Sequence, residues 1–192
     1  MGDVTRAAHA ARVLREAAGA HERMAGAVGP IVEAADALVS ALRQGGRVLV
    51  FGNGGSAADA QHFVAELVGR FERERRAWPA MALSTDTSIL TALGNDYGFD
   101  RVFARQIEAH GRPGDVAMGI TTSGQSPNVL RALETANARG LQTIALTGRG
   151  GDAGGIAKVH VAVAEDRTAR IQEVHMTVLH ILCELVELEI ED

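Results

Sequence analysis

Five short apolar runs recur along the chain: RVLVF (47–51), PAMAL (79–83), DVAMGI (115–120), LQTIALT (141–147) and KVHVAVA (158–164). Helical stretches separate them, starting from Ser56, from about Asp86 and Phe99, and from Ser126. Continuous apolar strands alternating with helices imply a parallel sheet covered on both faces, because each crossover must lay its helix on one side or the other. Residues 4 to 44 have helical periodicity and many alanines, broken at Gly29-Pro30, where proline suits the first turn of a new helix. Two helices should therefore precede the first strand. A long helix from about Thr168 to Glu189, with apolar residues every three or four positions, should close the chain. At 192 residues, with no internal repeat and no disordered linker, the pattern predicts one α/β domain over 1–192, made of a helical segment (1–44) and an α/β core with its last helix (45–192).

The composition narrows the function classes. No apolar run reaches the roughly 18 residues that span a bilayer, and the start, MGDVTRAAHAARVL, lacks the uninterrupted apolar core of a secretory signal. The expectation is a cytoplasmic protein without a membrane partner. A net charge of −5, with no Lys/Arg cluster beyond FERERRAW (71–78), speaks against a nucleic-acid surface; interleaved glutamates make that stretch read as a solvated face. The single cysteine, Cys183, cannot form an intramolecular disulfide, and its apolar helical run marks it as a small buried side chain. Lys158 is the only lysine and stands at the entrance to VHVAVA, a poor place for Schiff-base chemistry.

In an open α/β sheet, ligands bind beyond the carboxyl ends of the strands, where loops enter helix N-termini. After RVLVF comes GNGGS, which lets the backbone approach a ligand and ends in Ser56, a good N-cap. It is neither a dinucleotide G-x-G-x-x-G, since residue 57 is alanine, nor a P-loop. A tight strand-to-helix turn accounts for it equally well. After DVAMGI comes TTSGQSPNVL, in which Thr121, Thr122, Ser123 and Ser126 supply four hydroxyls, Gly124 permits an unusual turn, and Ser126-Pro127 reads as an N-cap and first-turn proline. Hydroxyls around a helix N-terminus favour a phosphate dianion without needing lysine or arginine. Between them lies GNDYGF (94–99), where Asn95 and Asp96 fit either sugar hydroxyls or a plain turn; taken alone, the turn is the simpler reading.

Downstream of GNGGS, His62 and Glu66 stand four apart, so they share a helix face, which the sequence places near the ligand loops; taken alone, a surface hydrogen bond is the simpler reading. On the last helix, His180 falls among Val178, Leu179, Ile181 and Leu182, where an imidazole needs a partner; His175 competes for the same role. Gln172 lies eight residues before His180, about 12 Å along the axis. Long side chains converge on one ion from there, or a neighbouring subunit completes the site; spacing does not decide.

Together, GNGGSAADAQHF with Glu66, GNDYGF, TTSGQS and RIQEVH with His180 resemble the phosphoheptose isomerases of the sugar isomerase (SIS) domain family, in family order and from about residue 30 to 190. The resemblance implies a flavodoxin-like, five-stranded parallel sheet and a homotetramer with active sites at subunit interfaces. The implied activity is conversion of sedoheptulose 7-phosphate to D-glycero-D-manno-heptose 7-phosphate, the first step of ADP/GDP-heptose biosynthesis. It makes Asn53, Gly54, Gly55, Asn95, Asp96, Thr121, Thr122, Ser123, Ser126 and Gln172 substrate contacts, Glu66 the base and His180 its acid–base partner. It also implies one zinc ion per subunit, on His62, Glu66, Gln172 and His180. Two departures from the family pattern stand out: threonine at 121, where many relatives have serine, and VAVAEDRTARIQE without the usual proline after the fifth strand, which leaves the role of Asp166 open. A related non-catalytic scaffold, the bacterial replication-initiator-associating protein, shares several of these stretches but lacks the glutamate and final-helix histidine and has arginine in T-R-G-N-S, where this chain has Ser123. A sugar-phosphate-sensing SIS module is the third reading.

Overall fold

The structure, a computed structural model, describes residues 3–190. Two helices, α1 (Asp3–Ala25) and α2 (Gly29–Arg43), lead into β1 (Val48–Gly52) and α3 (Gly55–Val68). Then follow β2 (Ala80–Ala82), α4 (Thr87–Tyr97), a single 3-10 turn (Phe99–Arg101), α5 (Val102–His110), β3 (Val116–Thr121) and α6 (Pro127–Ala138). The chain ends with β4 (Gln142–Thr147), the one-turn α7 (Ala153–Ile156), β5 (Val159–Ala162) and α8 (Thr168–Glu189). All strand pairs are parallel and the order is β2-β1-β3-β4-β5, the flavodoxin-like arrangement, with its switch point between β1 and β3.

Each strand feeds two cores, because successive side chains point to opposite faces. Val48, Val50, Met118, Ile120, Ile144, Leu146 and Val161 pack with α1, α2, α3 and α8 on one face. Leu49, Phe51, Ala117 and Ala145 pack with α5, α6 and α7 on the other, where the Phe51 and Phe103 rings lie 5.5 Å apart. This two-sided burial is why the strands read as continuous apolar runs. No single helix among the described residues is long and apolar enough to cross a membrane. The bent pair α1–α2 meets that test only by length and composition, and α2 spends its apolar face, Ile31, Leu38 and Leu42, on the core.

Several local expectations change. Ser56 does not cap α3: the helix begins one residue earlier, its N-cap is Gly54 at φ 56°, and Ser56 is buried inside the first turn. GNDYGF is not a turn at 94–97, since Gly94 to Tyr97 form the last turn of α4, and the break comes at Gly98, whose φ of 87° a side chain would resist. FERERRAW is only partly a solvated face. Glu72, Arg73, Glu74 and Arg76 are exposed, but Trp78 is buried and the Arg75 side chain is only 4% exposed. Cys183 is buried as expected, and burial pushes its thiol up to about 12, so it is inert. Lys158 donates its Nζ–H to Leu141 O at 2.8 Å, away from the carboxyl ends of the strands.

Candidate active site

The hydroxyl loop closes β3 at the carboxyl edge of the sheet. Thr121, buried at the strand's end, brings its Oγ1 to 3.0 Å from Ser126 Oγ and 3.3 Å from Ser123 Oγ, and Ser123 Oγ accepts Gln125 N–H at 3.1 Å. Ser126 is the N-cap of α6 and Pro127 sits in its first turn, but the Ser126 hydroxyl serves Thr121 and makes no capping bond. Gly124 takes φ 67°, and a Cβ there would meet Gly150 O at 2.5 Å, so the loop is packed against the turn after β4. Thr122 O accepts Gly148 N–H at 3.1 Å, which ties the same two loops.

Across the switch point, Asn53 and Asn128 exchange two amide hydrogen bonds of 2.8 Å, joining GNGGS to α6. Sequence reasoning passed over Asn128, whose only signal was its place two residues after the N-cap. A cavity of about 320 Å³ opens here, lined by Asn53, Phe99, Asp100, Ser126, Pro127 and Asn128. A cavity of similar size, about 340 Å³ beside Asp36, Ser40, Gly114 and Gln142, lies at the amino edge of β3 and β4, where α/β sheets do not place ligands. Asn95 and Asp96 are exposed on α4, joined by a 2.8 Å bond from Asn95 Nδ2 to Asp96 Oδ1. Asp166 is exposed and pairs with Arg149 at 3.7 Å.

The acid–base candidates gather elsewhere on the chain. His62 Nε2 lies 3.1 Å from Glu66 Oε1 and 3.2 Å from His180 Nε2, with the two imidazole centroids 5.1 Å apart. His62 Nε2 thus lies within hydrogen-bond reach of both the Glu66 carboxylate and the His180 ring. His175 does not compete. It is fully buried, its Nε2 donates to Thr147 O at 3.0 Å, and burial pulls its pKa down to about 4, so it is a neutral core histidine. Asp59, one turn before His62, also went unread: it is buried, its Oδ2 has no partner, and desolvation raises its pKa to about 6, offset in part by His62.

The expected nearness of Glu66 to the ligand loops of its own chain is corrected. α3 starts at the carboxyl end of β1 and runs back toward the amino edge, and Glu66 is two residues from its end at Val68. Gln172 does stand at the ligand edge: a Cβ on Gly55 would meet its Nε2 at 2.3 Å, so the absent side chain leaves room for the amide. Gln172 and Gly55 thus mark one level of the α3–α8 pair and His62 and His180 another, about 10–12 Å down the axes. The donor chemistry of His62, His180 and Glu66 suits zinc, and 3.1 and 3.2 Å approach the edge of a tetrahedron around an ion with bonds of about 2.0 Å. Gln172 stands apart, however, and among the described residues no group of three or more His, Cys, Asp or Glu is arranged to hold a metal ion.

Comparison with known proteins places this chain in a family. The SIS domain profile matches residues 14–148. A phosphoheptose isomerase of Geobacter sp. (strain M21) is 59% identical over 167 residues, covering 86% of this chain and 87% of its own. The chain belongs to the phosphoheptose isomerase family of SIS-domain proteins. It is therefore an enzyme, an isomerase. Two solved structures agree in fold. The phosphoheptose isomerase GmhA of Neisseria gonorrhoeae has TM-score 0.89 and 45% identity over 94% of this chain and 97% of that one. A phosphoheptose isomerase of Francisella tularensis has TM-score 0.91 and 39% identity over 98% and 100%. The flavodoxin-like, five-stranded sheet expected from the sequence is the one observed.

Proposed function

We propose that the chain interconverts sedoheptulose 7-phosphate and D-glycero-D-manno-heptose 7-phosphate, the entry step to ADP/GDP-heptose. The observation that carries the reading is the contact of His62 with both Glu66, four residues on along α3, and His180, 118 residues on along α8, in a chain that keeps the hydroxyl loop. Ketose-to-aldose conversion moves one proton between neighbouring carbons and two between oxygens. Glu66 takes a C1 proton from the open-chain ketose while His180 gives one to the C2 oxygen, leaving the 1,2-enediol. Glu66 then returns its proton to C2, His180 recovers the proton of the C1 hydroxyl, and the C1 aldehyde forms. The hydroxyls of Thr121, Thr122, Ser123 and Ser126 hold the phosphate, with Asn53, Gly54, Gly55, Asn95, Asp96 and Gln172 around the sugar.

The separation of the two levels along α3 and α8 supports a composite site, in which a second copy of the chain brings its hydroxyl loop toward Glu66 and His180. A homotetramer supplies such interfaces, and exposed Val68, Met81 and Leu188 fit that assembly. Zinc is the expectation the resemblance carries: His62, Glu66 and His180 would be its donors and polarisation of the substrate's oxygens its chemistry, whereas Gln172, a level away beside Gly55, would reach that ion only from another copy of the chain. The lone, buried cysteine suits a cytoplasmic enzyme.

Incubation with sedoheptulose 7-phosphate, followed by NMR, tests the reading. Aldose signals are expected, with a rate that falls on chelation and recovers with zinc. Binding without interconversion would favour a sugar-phosphate sensor, and neither binding nor interconversion a scaffold.

A further inference from the structure

Segment 69–78, GRFERERRAW, is folded around two buried charges. The last turn of an α-helix leaves carbonyls without intrahelical donors. At the end of α3, Arg75 fills that need: its Nη2 donates to Glu66 O at 2.7 Å and its Nη1 to Leu67 O at 3.1 Å. A cation at this position also complements the helix dipole, and the guanidinium is backed by the Trp78 ring at 3.6 Å. Glu187, seven residues after His180 on α8, holds the segment. Its Oε1 accepts Phe71 N–H and Arg75 Nε–H, and its Oε2 accepts Glu72 N–H and Arg73 N–H, all at 3.0 Å. Burial pushes the Glu187 carboxyl up, but the three backbone donors and Arg75 outweigh it and hold the group below the usual range. The segment so held places the Phe71 ring 5.2 Å from the His180 imidazole, at an interplanar angle of 31°.

We infer that Phe71, Arg75 and Glu187 are positioning residues for the acid–base pair. Arg75 caps the helix that carries Glu66, Glu187 ties that cap to the helix that carries His180, and Phe71 fixes the plane of the His180 ring against His62. This rests on the reading that Glu66 and His180 meet the substrate. None of the three bonds to the hydroxyl loop, so their loss should slow turnover and leave substrate affinity in place.

The test uses the full chain, with sedoheptulose 7-phosphate as substrate and the thermal midpoint recorded for every variant. Phe71→Ala is expected to lower kcat about 10- to 100-fold, the scale of a small misplacement, with KM within about 3-fold. Phe71→Tyr, which keeps the ring, should restore kcat to within about 2-fold. Should Phe71→Ala not fold, Phe71→Leu keeps the apolar contact without the ring plane, and the same fall in kcat is expected. Arg75→Lys keeps the charge but not the two-pronged cap, and should also lose kcat rather than affinity. Wild-type kcat in folded Phe71→Ala or Phe71→Leu, a change confined to KM, or no rescue by tyrosine would overturn the proposal. Glu66→Gln is run beside them. A silent wild type sinks the proposed substrate instead, an active Glu66→Gln removes Glu66 from the base's role, and in either case the brace is judged by NMR alone. There, the cross-peak between the His62 and His180 rings should vanish in Phe71→Ala, and its persistence would refute the brace.

Discussion

The 121–126 loop and the α3–α8 face both gather polar side chains, but they are held by different means. In the loop, the hydroxyls of Thr121, Ser123 and Ser126 bond to one another, and a glycine packs the turn against its neighbour, so the geometry is set within a few residues of β3. On the helical face, His62, Glu66 and His180 meet from α3 and α8, with the Phe71 ring beside His180, and they depend on two helices from distant parts of the chain staying in register. A binding subsite can be written locally, whereas an acid–base pair drawn from two helices needs the whole fold beneath it. Reaction chemistry should therefore be lost from the helical face and affinity from the loop.

The largest effect should come from the helical face. His180→Asn is expected to lower kcat about 10²- to 10⁴-fold, the usual worth of a positioned acid–base group, with little change in KM by steady-state kinetics. A matching rise in KM would break the division between the two regions. His175, five residues away on the same helix, should matter to stability alone. Its folded pKa of about 4 lies below the ordinary 6.5, so its contribution is complete above about pH 6.5 and is lost as the pH falls toward 4. Between those limits the wild type should lose up to about 3 kcal/mol relative to His175→Gln, measured by urea unfolding at pH 7 and 4.5. Asp59 works in the opposite sense. Its raised pKa stabilises the protein at low pH and loses that effect as the pH rises through about 6, so only the difference between wild type and variant isolates His175. Smallest is the loop: Thr121→Val with Ser126→Ala should raise KM about 10- to 100-fold, as expected for bonds to a charged group, while kcat holds.

Much of this was legible because it is local. The span of α8 follows from apolar residues every three or four positions, and the sheet from runs buried on both faces. The hydroxyl loop was readable because its hydroxyls, its glycine and the Ser126-Pro127 helix start lie within seven residues. What escaped depends on partners far along the chain. Arg75 looked solvated because nothing near it reveals Glu187, 112 residues on, and the level of Glu66 relative to the ligand edge is set by the direction of α3, not by its spacing from His62. Ser56 was displaced as a cap because Gly54 adopts a backbone that starts the helix sooner, and the four-residue α7 is too short to carry a periodic signal.

The most direct test is Glu66→Gln, followed in a single sample for sedoheptulose 7-phosphate binding by titration calorimetry and for aldose formation by NMR. The account predicts binding within about 3-fold of wild type and at least about a 10³-fold loss of turnover. Substantial aldose formation by this variant would contradict it.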